Sequence, residues 1–304
     1  LRFAAGGSAA FFFAPALGLV AAYYPPGSRG PIIGLYNSGF SAGAAGGVFL
    51  GAVLGAAFGW EWALAVGGVG LLVAAGLAAT FLPPVVTPTP RRTPKELARI
   101  AAPVLRSRPL WALAVALTGL WATFYIVAQY FVEYASKAHA AWSLALAASL
   151  PTVMILVEIV GGPLGGWLGE RYRDMRLALI VFGVPSAVAV LLVPFLPLGD
   201  LVVVFLFLGF ADGVVFAVLY LIPSYVPEAQ GEGLALALAL VNGVQIFGGS
   251  ALAIAFGFLA VSLGYTDAWI FAGVAGIVTL PVLLWVSGDP RRESGEPVQS
   301  PSRS

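Results

Sequence analysis

Two acidic residues stand inside long apolar segments, where a charge is unusual. Asp212 lies near the middle of the apolar run 201–222, and Glu158 lies a little past the middle of the run 141–168. A charged side chain at the centre of a membrane helix costs about 2.5–3.5 kcal/mol on insertion scales, so such residues are usually retained for a function. A carboxyl group that binds and releases a proton as its access to water alternates can couple proton movement to other steps. Both acids are candidates for that role, and Glu158 has the alternative of a packing acid bonded to a neighbouring amide or hydroxyl.

Polar and aromatic residues at helical spacing form a second set. Residues four positions apart share a helix face, and two such rows occur: Trp121, Tyr125 and Gln129, and then Asp212, Phe216 and Tyr220. Asn242 and Gln245 add amides in the run 233–262, and Arg2 is a candidate counter-ion for an anionic substrate or a coupling acid. Together these residues are expected to line a substrate or proton pathway. Aromatic rows also serve packing, and amides also join membrane helices, so those interpretations stay open.

Membrane-spanning helices must hold these residues. Hydrophobic residues make up 60% of the 304-residue chain and charged residues only 10%, which leaves too little polar surface to cover a soluble globule. A helix needs about 20 apolar residues to cross roughly 30 Å of hydrocarbon. We therefore expect an all-α membrane bundle with spans near residues 3–24, 31–58, 61–83, 109–134, 141–168, 175–197, 201–222, 233–262 and 266–287.

The basic residues predict the orientation of this bundle. Lys and Arg in short loops stay on the cytoplasmic side. When the loops are assigned alternately to the two sides of the membrane, one side receives only Arg2 and Lys137 of the 15 basic residues, and the other side receives the rest. The C-terminus is therefore expected in the cytoplasm of a multi-pass cell-membrane protein. An odd number of spans then puts Leu1 outside, which is an awkward start for a chain without an initiating methionine, so we expect a fragment.

A faint internal repeat indicates what precedes this fragment. Residues 24–30 (YPPGSRG) and 225–231 (YVPEAQG) each open a helix rich in small residues. Internal repeats are a common feature of secondary transporters. If the first three helices repeat the last three, three more helices preceded residue 1, and the parent protein has twelve.

Two motifs resemble those of the major facilitator superfamily, and the resemblance covers the chain as helices four to twelve of twelve. Residues 2–10 (RFAAGGSAA) are similar to the fourth-helix pattern, an arginine with a glycine four positions later and then small residues. Residues 166–173 (GWLGERYR) are similar to the cytoplasmic signature loop. The family usually has a glycine where Arg173 stands, and basic residues where Asp174 and Met175 stand.

The resemblance assigns roles to several of these residues. It implies that Gly166, Glu170 and Arg171 close a cytoplasmic gate, since a glutamate and arginines at a helix end can pair across a moving seam. The alternative is that the arginines are simply positive-inside residues. The resemblance also implies that the seventh and tenth helices line the cavity, and the tenth carries Asp212.

Glycines recur every four residues in the run 31–58, at Gly39, Gly43, Gly47, Gly51 and Gly55. Such a row lets a neighbouring helix approach closely. A shorter glycine row spans residues 161–169, in the helix that the family places opposite. The resemblance implies that these two helices meet across the seam between the halves and slide during transport, with static packing as the alternative. Drug/proton antiporters of the family carry a proline where Ala44 stands, which counts against an antiporter.

Composition divides the chain into four parts. Residues 1–83 are expected to be the remainder of an N-terminal half, and residues 109–288 a six-helix C-terminal half. Residues 84–108 are a proline-rich, basic cytoplasmic linker, in which Thr93 and Glu96 predict a capping box at the start of a short amphipathic helix on the membrane surface. Residues 289–304 are rich in proline, serine and charge, and are expected to be a disordered tail.

The sequence carries no recognisable pattern for catalysis. It has no cysteine, a single histidine (His139) in a short loop, and no glycine-rich phosphate loop, so we expect no enzyme, metal or cofactor. We predict a secondary active transporter of a small solute, working by alternating access in symport with protons, as a monomer in the lipid bilayer without nucleic acid. A facilitated uniporter and a drug/proton antiporter are the alternatives within this class, and a non-transporting membrane receptor or scaffold is the alternative outside it.

Overall fold

The computed structural model describes residues 16–17, 19–20, 23–25, 28–81, 93–138, 142–172 and 174–286. The secondary structure of these residues is almost entirely helical, with short turns between helices and without strands. Short 3-10 turns follow α6, α7 and α9 at Val193–Phe195, Ile222–Tyr225, Pro227–Ala229 and Leu280–Trp285. The α-helices are α1 (Arg29–Phe58), α2 (Trp60–Phe81), α3 (Pro94–Arg106), α4 (Arg108–Ala138), α5 (Leu144–Arg171), α6 (Met175–Leu192), α7 (Leu198–Leu221), α8 (Gly233–Ser262) and α9 (Tyr265–Thr279).

The expected all-α membrane bundle is confirmed. Seven described helices, α2 and α4 to α9, are long and apolar enough to cross a membrane, and α1 adds a glycine-rich helix of 30 residues. The expected span 3–24 lies largely outside the described residues. So do Arg2, His139, the linker residues 84–92 and the tail 289–304.

α4 and α7 form the centre of the bundle. In each, 67% of the most apolar window is buried, against 39% or less in the other candidate spans. Aromatic rings fill the space around them at one end, where Phe131 of α4 lies 4.5 Å from Phe205 of α7 between ring centroids, and Trp269 of α9 is fully buried. Polar side chains on α4 and α7 therefore face protein more than lipid.

α5 packs against both α1 and α7 through glycines, and α1 also contacts α7 directly. An added Cβ at Gly162 would lie 2.7 Å from the carbonyl oxygen of Gly34 in α1, and one at Gly213 in α7 would lie 2.8 Å from the Gly162 nitrogen. A real side chain at either position would therefore push the backbones apart. Helices in lipid associate through such close packing, and here it fixes the register of α5 against both neighbours.

The contact between α1 and α5 uses a different part of α1 from the predicted glycine row. Gly30 and Gly34, near the start of α1, make the contact with Gly162 and Gly166, and we call these four residues the seam. The surroundings of Gly51 lie outside the described structure. No atom of the described residues lies within 4 Å of an added Cβ at Gly39, Gly43, Gly47 or Gly55. A glycine row marks where close approach is possible, but the closest contacts between the two helices lie at Gly30 and Gly34, before the predicted row begins.

α3 packs across the end of the bundle where α1 begins and α5 ends, which we call the basic end. Its start has the predicted capping box: the Thr93 amide donates to Glu96 at 2.8 Å, and the Glu96 amide donates to Thr93 Oγ1 at 3.3 Å. Val104 is buried against Gly233 at the start of α8. Lys95 and Arg99 remain exposed. The helix therefore anchors through a single apolar face.

Candidate substrate and proton site

An aromatic cluster joins α4 to α7 in the middle of the bundle. The ring of Trp121 meets Phe216 edge to face at 5.5 Å and stacks with Tyr125 at 6.4 Å, and Phe124 meets Phe216 at 5.8 Å. The structure thus brings together the predicted faces of two different helices. Gln129 is exposed and takes no part in the cluster, so its predicted place in the pathway stays a prediction.

A hydrogen-bonded trio ties α7 to α8 one turn away from this cluster. The Tyr220 hydroxyl donates to Asn242 Oδ1 at 2.9 Å, and Gln245 Nε2 donates to the Tyr220 hydroxyl at 2.9 Å and to Asn242 Oδ1 at 3.1 Å. Gln245 is fully buried, and its Oε1 has no partner among the described residues. The Trp121 Nε1 is also buried without a described partner. An unsatisfied buried polar atom calls for an explanation, and here one donor and one acceptor are available to a ligand.

Trp121 and Gln245 belong to the same part of the interior. The Trp121 ring lies against Gly249, where an added Cβ would be 3.2 Å from Trp121 Cγ. Gly249 follows Gln245 by one turn of α8, so both lie on the same face of that helix. The ring cluster and the trio are therefore adjacent parts of one polar and aromatic site between α4, α7 and α8.

Glu158 and Asp212 lie side by side on α5 and α7, and we call them the carboxyl pair. The backbone of Gly213, next to Asp212, packs against the carbonyl of Glu158, and the two carboxyl groups interact electrostatically. The side chains are almost wholly buried, at 3% and 4% exposed. Every described Lys and Arg lies in α3 or near the end of a span. No described cation therefore neutralises the pair, and a low-dielectric interior disfavours two adjacent negative charges.

α1 also reaches Glu158 of the carboxyl pair. The hydroxyl of Ser41 lies within hydrogen-bonding reach of Glu158, while Glu158 Oε2 has no described partner. Ser38, one turn earlier, donates to the carbonyl of Ile159 at 2.8 Å. The alternative role of Glu158 as a fully satisfied packing acid therefore applies to only one of its oxygens. Asn37 of α1 is also buried, and its carbonyl accepts the Ser41 hydroxyl at 3.3 Å.

At the basic end, Glu170 connects three elements. Its Oε1 accepts the backbone N–H of Gly30 at 3.0 Å, and its Oε2 accepts the Tyr225 hydroxyl at 2.9 Å. Because Gly30 is the second residue of α1, the carboxylate sits at the positive end of that helix dipole. Arg171 instead lies over the ring of Trp167, 5.5 Å from its centroid. Of the predicted gate residues, the structure brings Gly166 and Glu170 to the seam, and Arg171 points to a ring on its own helix.

The sequence matches the model of the Major Facilitator Superfamily over residues 1–237, which reaches from before α1 into the first turns of α8. The chain belongs to the Major Facilitator Superfamily. Membership makes it a multi-pass membrane protein of a secondary-transporter family and points away from an enzyme. No individual curated protein matches the chain.

In the loop after α5, this superfamily member departs from the family pattern at Asp174, and the structure shows what that acid contacts. Asp174 stands where the family usually has a basic residue, and it caps α6 by accepting the Arg176 amide at 3.0 Å. The Arg176 guanidinium donates to the same carboxylate at 2.9 Å and to the Val286 carbonyl at 3.1 Å. The hydrogen bonds from Arg176 hold the pKa of Asp174 below its usual range. The acid thus fixes both the start of α6 and the turn after α9.

Three residues of the site escaped the sequence reasoning. Ser41 sits in a glycine-rich helix without any motif, and only the contact across α5 identifies it. Phe124 lies one position off the predicted row. Tyr225 had a signal, since it opens the second copy of the internal repeat, but its partner Glu170 lies 55 residues earlier in the chain.

Proposed function

We propose that this superfamily member is a secondary active transporter that moves a small solute across the cell membrane in symport with protons. The observation that supports this best is the carboxyl pair, which is buried, adjacent and without a described cation. Such a pair keeps at least one proton while it is shielded, because two neighbouring negative charges in a low-dielectric site are unfavourable. It releases the proton when water reaches it, which is the step that couples a gradient to movement.

The polar and aromatic site supports the assignment of a small solute. Trp121 and Phe216 offer flat apolar surfaces, while Tyr220, Asn242 and Gln245 offer hydrogen bonds to a ligand. Solute pockets commonly combine an apolar lining with a few placed polar groups. We infer a solute with an apolar body and at least one donor and one acceptor group, matching the unpaired Gln245 Oε1 and Trp121 Nε1.

The seam supports alternating access. We propose that the basic end faces the cytoplasm, as the distribution of Lys and Arg indicates, and that the described conformation is closed there. Gly30 and Gly34 pack directly on α5, and Glu170 holds the start of α1. Opening this end requires α1 to leave α5, which breaks the hydrogen bond from the Gly30 amide to Glu170 and the bond from Ser38 to Ile159. Water then gains a path towards Glu158.

Uptake into vesicles tests this function. The full-length protein is reconstituted and a panel of small solutes is offered with and without an imposed pH difference. Asp212→Asn and Glu158→Gln should each abolish uphill uptake while leaving exchange of solute across the membrane. Asp200→Asn is the matched control, because Asp200 is an exposed acid in the first turn of the same helix as Asp212.

The alternatives give different results in the same assay. Uptake that ignores the pH difference indicates a uniporter, and expulsion of solute against inward proton flow indicates an antiporter. Absence of transport for every solute favours the receptor or scaffold. Retention of uphill uptake by both variants of the carboxyl pair would overturn the proposed coupling.

A further inference from the structure

A cavity of about 600 Å³ opens at the basic end, away from the polar and aromatic site. It lies between the junction of α3 with α4 and the 3-10 turn that follows α9. None of its lining residues belongs to the carboxyl pair, the trio or the seam. The lining includes Arg106, Arg108, Trp111, Val115, Val282 and Trp285.

The head of this cavity is cationic. Arg106 ends α3 and Arg108 begins α4, and both are exposed. Neither guanidinium has a hydrogen bond or ion pair to any described residue, in contrast to Arg176 and Lys137, which pair with acids. Two unpaired guanidinium groups this close in sequence favour an anionic oxygen ligand, above all a phosphate, which arginine binds in a bidentate manner.

The remainder of the cavity is apolar and runs along a membrane span. Trp111 is held in place because its Nε1 donates to the Leu105 carbonyl at 2.9 Å. Val115 lies one turn further along α4, and Val282 faces the cavity from the turn after α9. Trp285 is 74% exposed. The order along α4 is therefore arginine, tryptophan and then aliphatic side chain, which matches the headgroup, interface and acyl layers of a bilayer.

We infer that this cavity binds an anionic phospholipid. Arg106 and Arg108 hold the phosphate, the indole of Trp111 lies at the glycerol level, and Val115 and Val282 contact the start of an acyl chain. A free phosphate would use only the two arginines and would leave the apolar wall without a role. The bound lipid joins α3, which links the two halves, to the turn after α9.

Lipid retention by the full-length protein tests the inference. The protein is purified in detergent, mixed with phosphatidylglycerol or with phosphatidylcholine of the same chains, and examined by native mass spectrometry. The expected result is one retained phosphatidylglycerol and no retained phosphatidylcholine. Arg106→Gln with Arg108→Gln should lower that retention roughly 30-fold, given the usual contribution of a basic residue near an anionic membrane. The control is Lys95→Gln with Arg99→Gln, which removes the same charge from exposed positions of α3 outside the cavity.

Two further experiments distinguish binding of a phospholipid from binding of a free anion and from nonspecific attraction of anions to basic residues. Inorganic phosphate and glycerophosphoglycerol, which lack acyl chains, should not displace the lipid, and displacement by either would overturn the inference. Val282→Trp fills the apolar wall while keeping both arginines, and it should also reduce retention. Equal retention by the Arg106/Arg108 and Lys95/Arg99 double variants, or by Val282→Trp and the wild type, would refute the site. Circular dichroism and gel filtration establish that each variant is folded.

Discussion

Replacing Gly162 with alanine tests whether backbone contact at the seam keeps the basic end closed. The new Cβ would lie 2.7 Å from the Gly34 carbonyl oxygen and 2.8 Å from Ser38 Oγ, where ordinary contact begins at 3.4 Å. The nearer contact is thus 0.7 Å too short, and because Gly34 presents backbone, α1 itself must move. Overpacking of this kind costs about 1–3 kcal/mol, which is roughly a 5- to 150-fold shift from the closed towards the open arrangement.

The measurement is the distance between α1 and α5 at the basic end. The chain has no cysteine, so spin labels attach only where cysteines are introduced, and the exposed residues Tyr24 and Tyr172 suit them. Pulsed electron–electron double resonance is recorded on the full-length protein in nanodiscs. Gly162→Ala should shift the distribution of distances between the two spin labels towards longer values. The control is Gly43→Ala, since an added Cβ there meets no described atom within 4 Å. Identical distance distributions for the two variants would show that the seam does not hold this end closed.

Two further predictions concern the acids outside the carboxyl pair. Glu170→Gln removes the charge at the start of α1, worth about 0.3–1 kcal/mol for a helix terminus, so the same label pair should report a smaller shift to longer distances; an unchanged distribution would contradict the role of the charge. Asp174→Ala removes the cap of α6 and should lower the free energy of unfolding by about 1 kcal/mol at neutral pH, measured by unfolding in mixed detergent micelles. Because Arg176 lowers the pKa of Asp174, this contribution is present above the unfolded pKa of about 3.9. It is lost as the pH falls through the folded pKa, so wild type and variant should converge in acid, and a constant difference would contradict this account.

The helices could be predicted from sequence because their signal is local. The apolar run 109–134 corresponds to α4, which extends from Arg108 to Ala138. The extra turn at its end contains Lys137, which forms an exposed i,i+4 ion pair at 2.6 Å with Glu133 in the turn before it. A hydropathy window excludes such charged residues, although their pairing favours helix. The end of a span was therefore less predictable than its existence.

The faces of the helices were only partly predictable. A four-residue step rotates a side chain by about 40° beyond a full turn, so Gln129 lies about 80° away from Trp121 around α4 and is exposed. On α7 the same rotation leaves Asp212, Phe216 and Tyr220 all buried, because other helices enclose α7. A periodic row thus predicts a shared environment only when the helix is surrounded.

The pairing of Glu158 with Asp212 could not be predicted from either helix alone, because it depends on the register between them. Backbone contact at glycines sets that register: Gly161 and Gly165 of α5 pack on α7, and Gly213 of α7 packs on α5. In the structure the two acids lie at equal distances from the starts of their helices, Leu144 and Leu198, which the predicted runs 141–168 and 201–222 do not show. Equal distances from the helix starts bring two residues to the same level only when the helices are parallel neighbours. That is the case here, since both helices run towards the basic end.

The position of α5 links the two functional features physically. Its Gly161 and Gly165 face α7, whereas Gly162 and Gly166 face α1, so the two contacts use different faces of one helix, about 100° apart. In the proposed cycle, α1 leaves α5 while α5 stays on α7, which keeps the carboxyl pair intact and takes Ser41 away from Glu158. The acid then loses a hydrogen-bonding neighbour and gains water in the same movement. Opening at the seam and proton release at Glu158 would therefore be a single event, and that is the coupling which a proton-driven transporter requires.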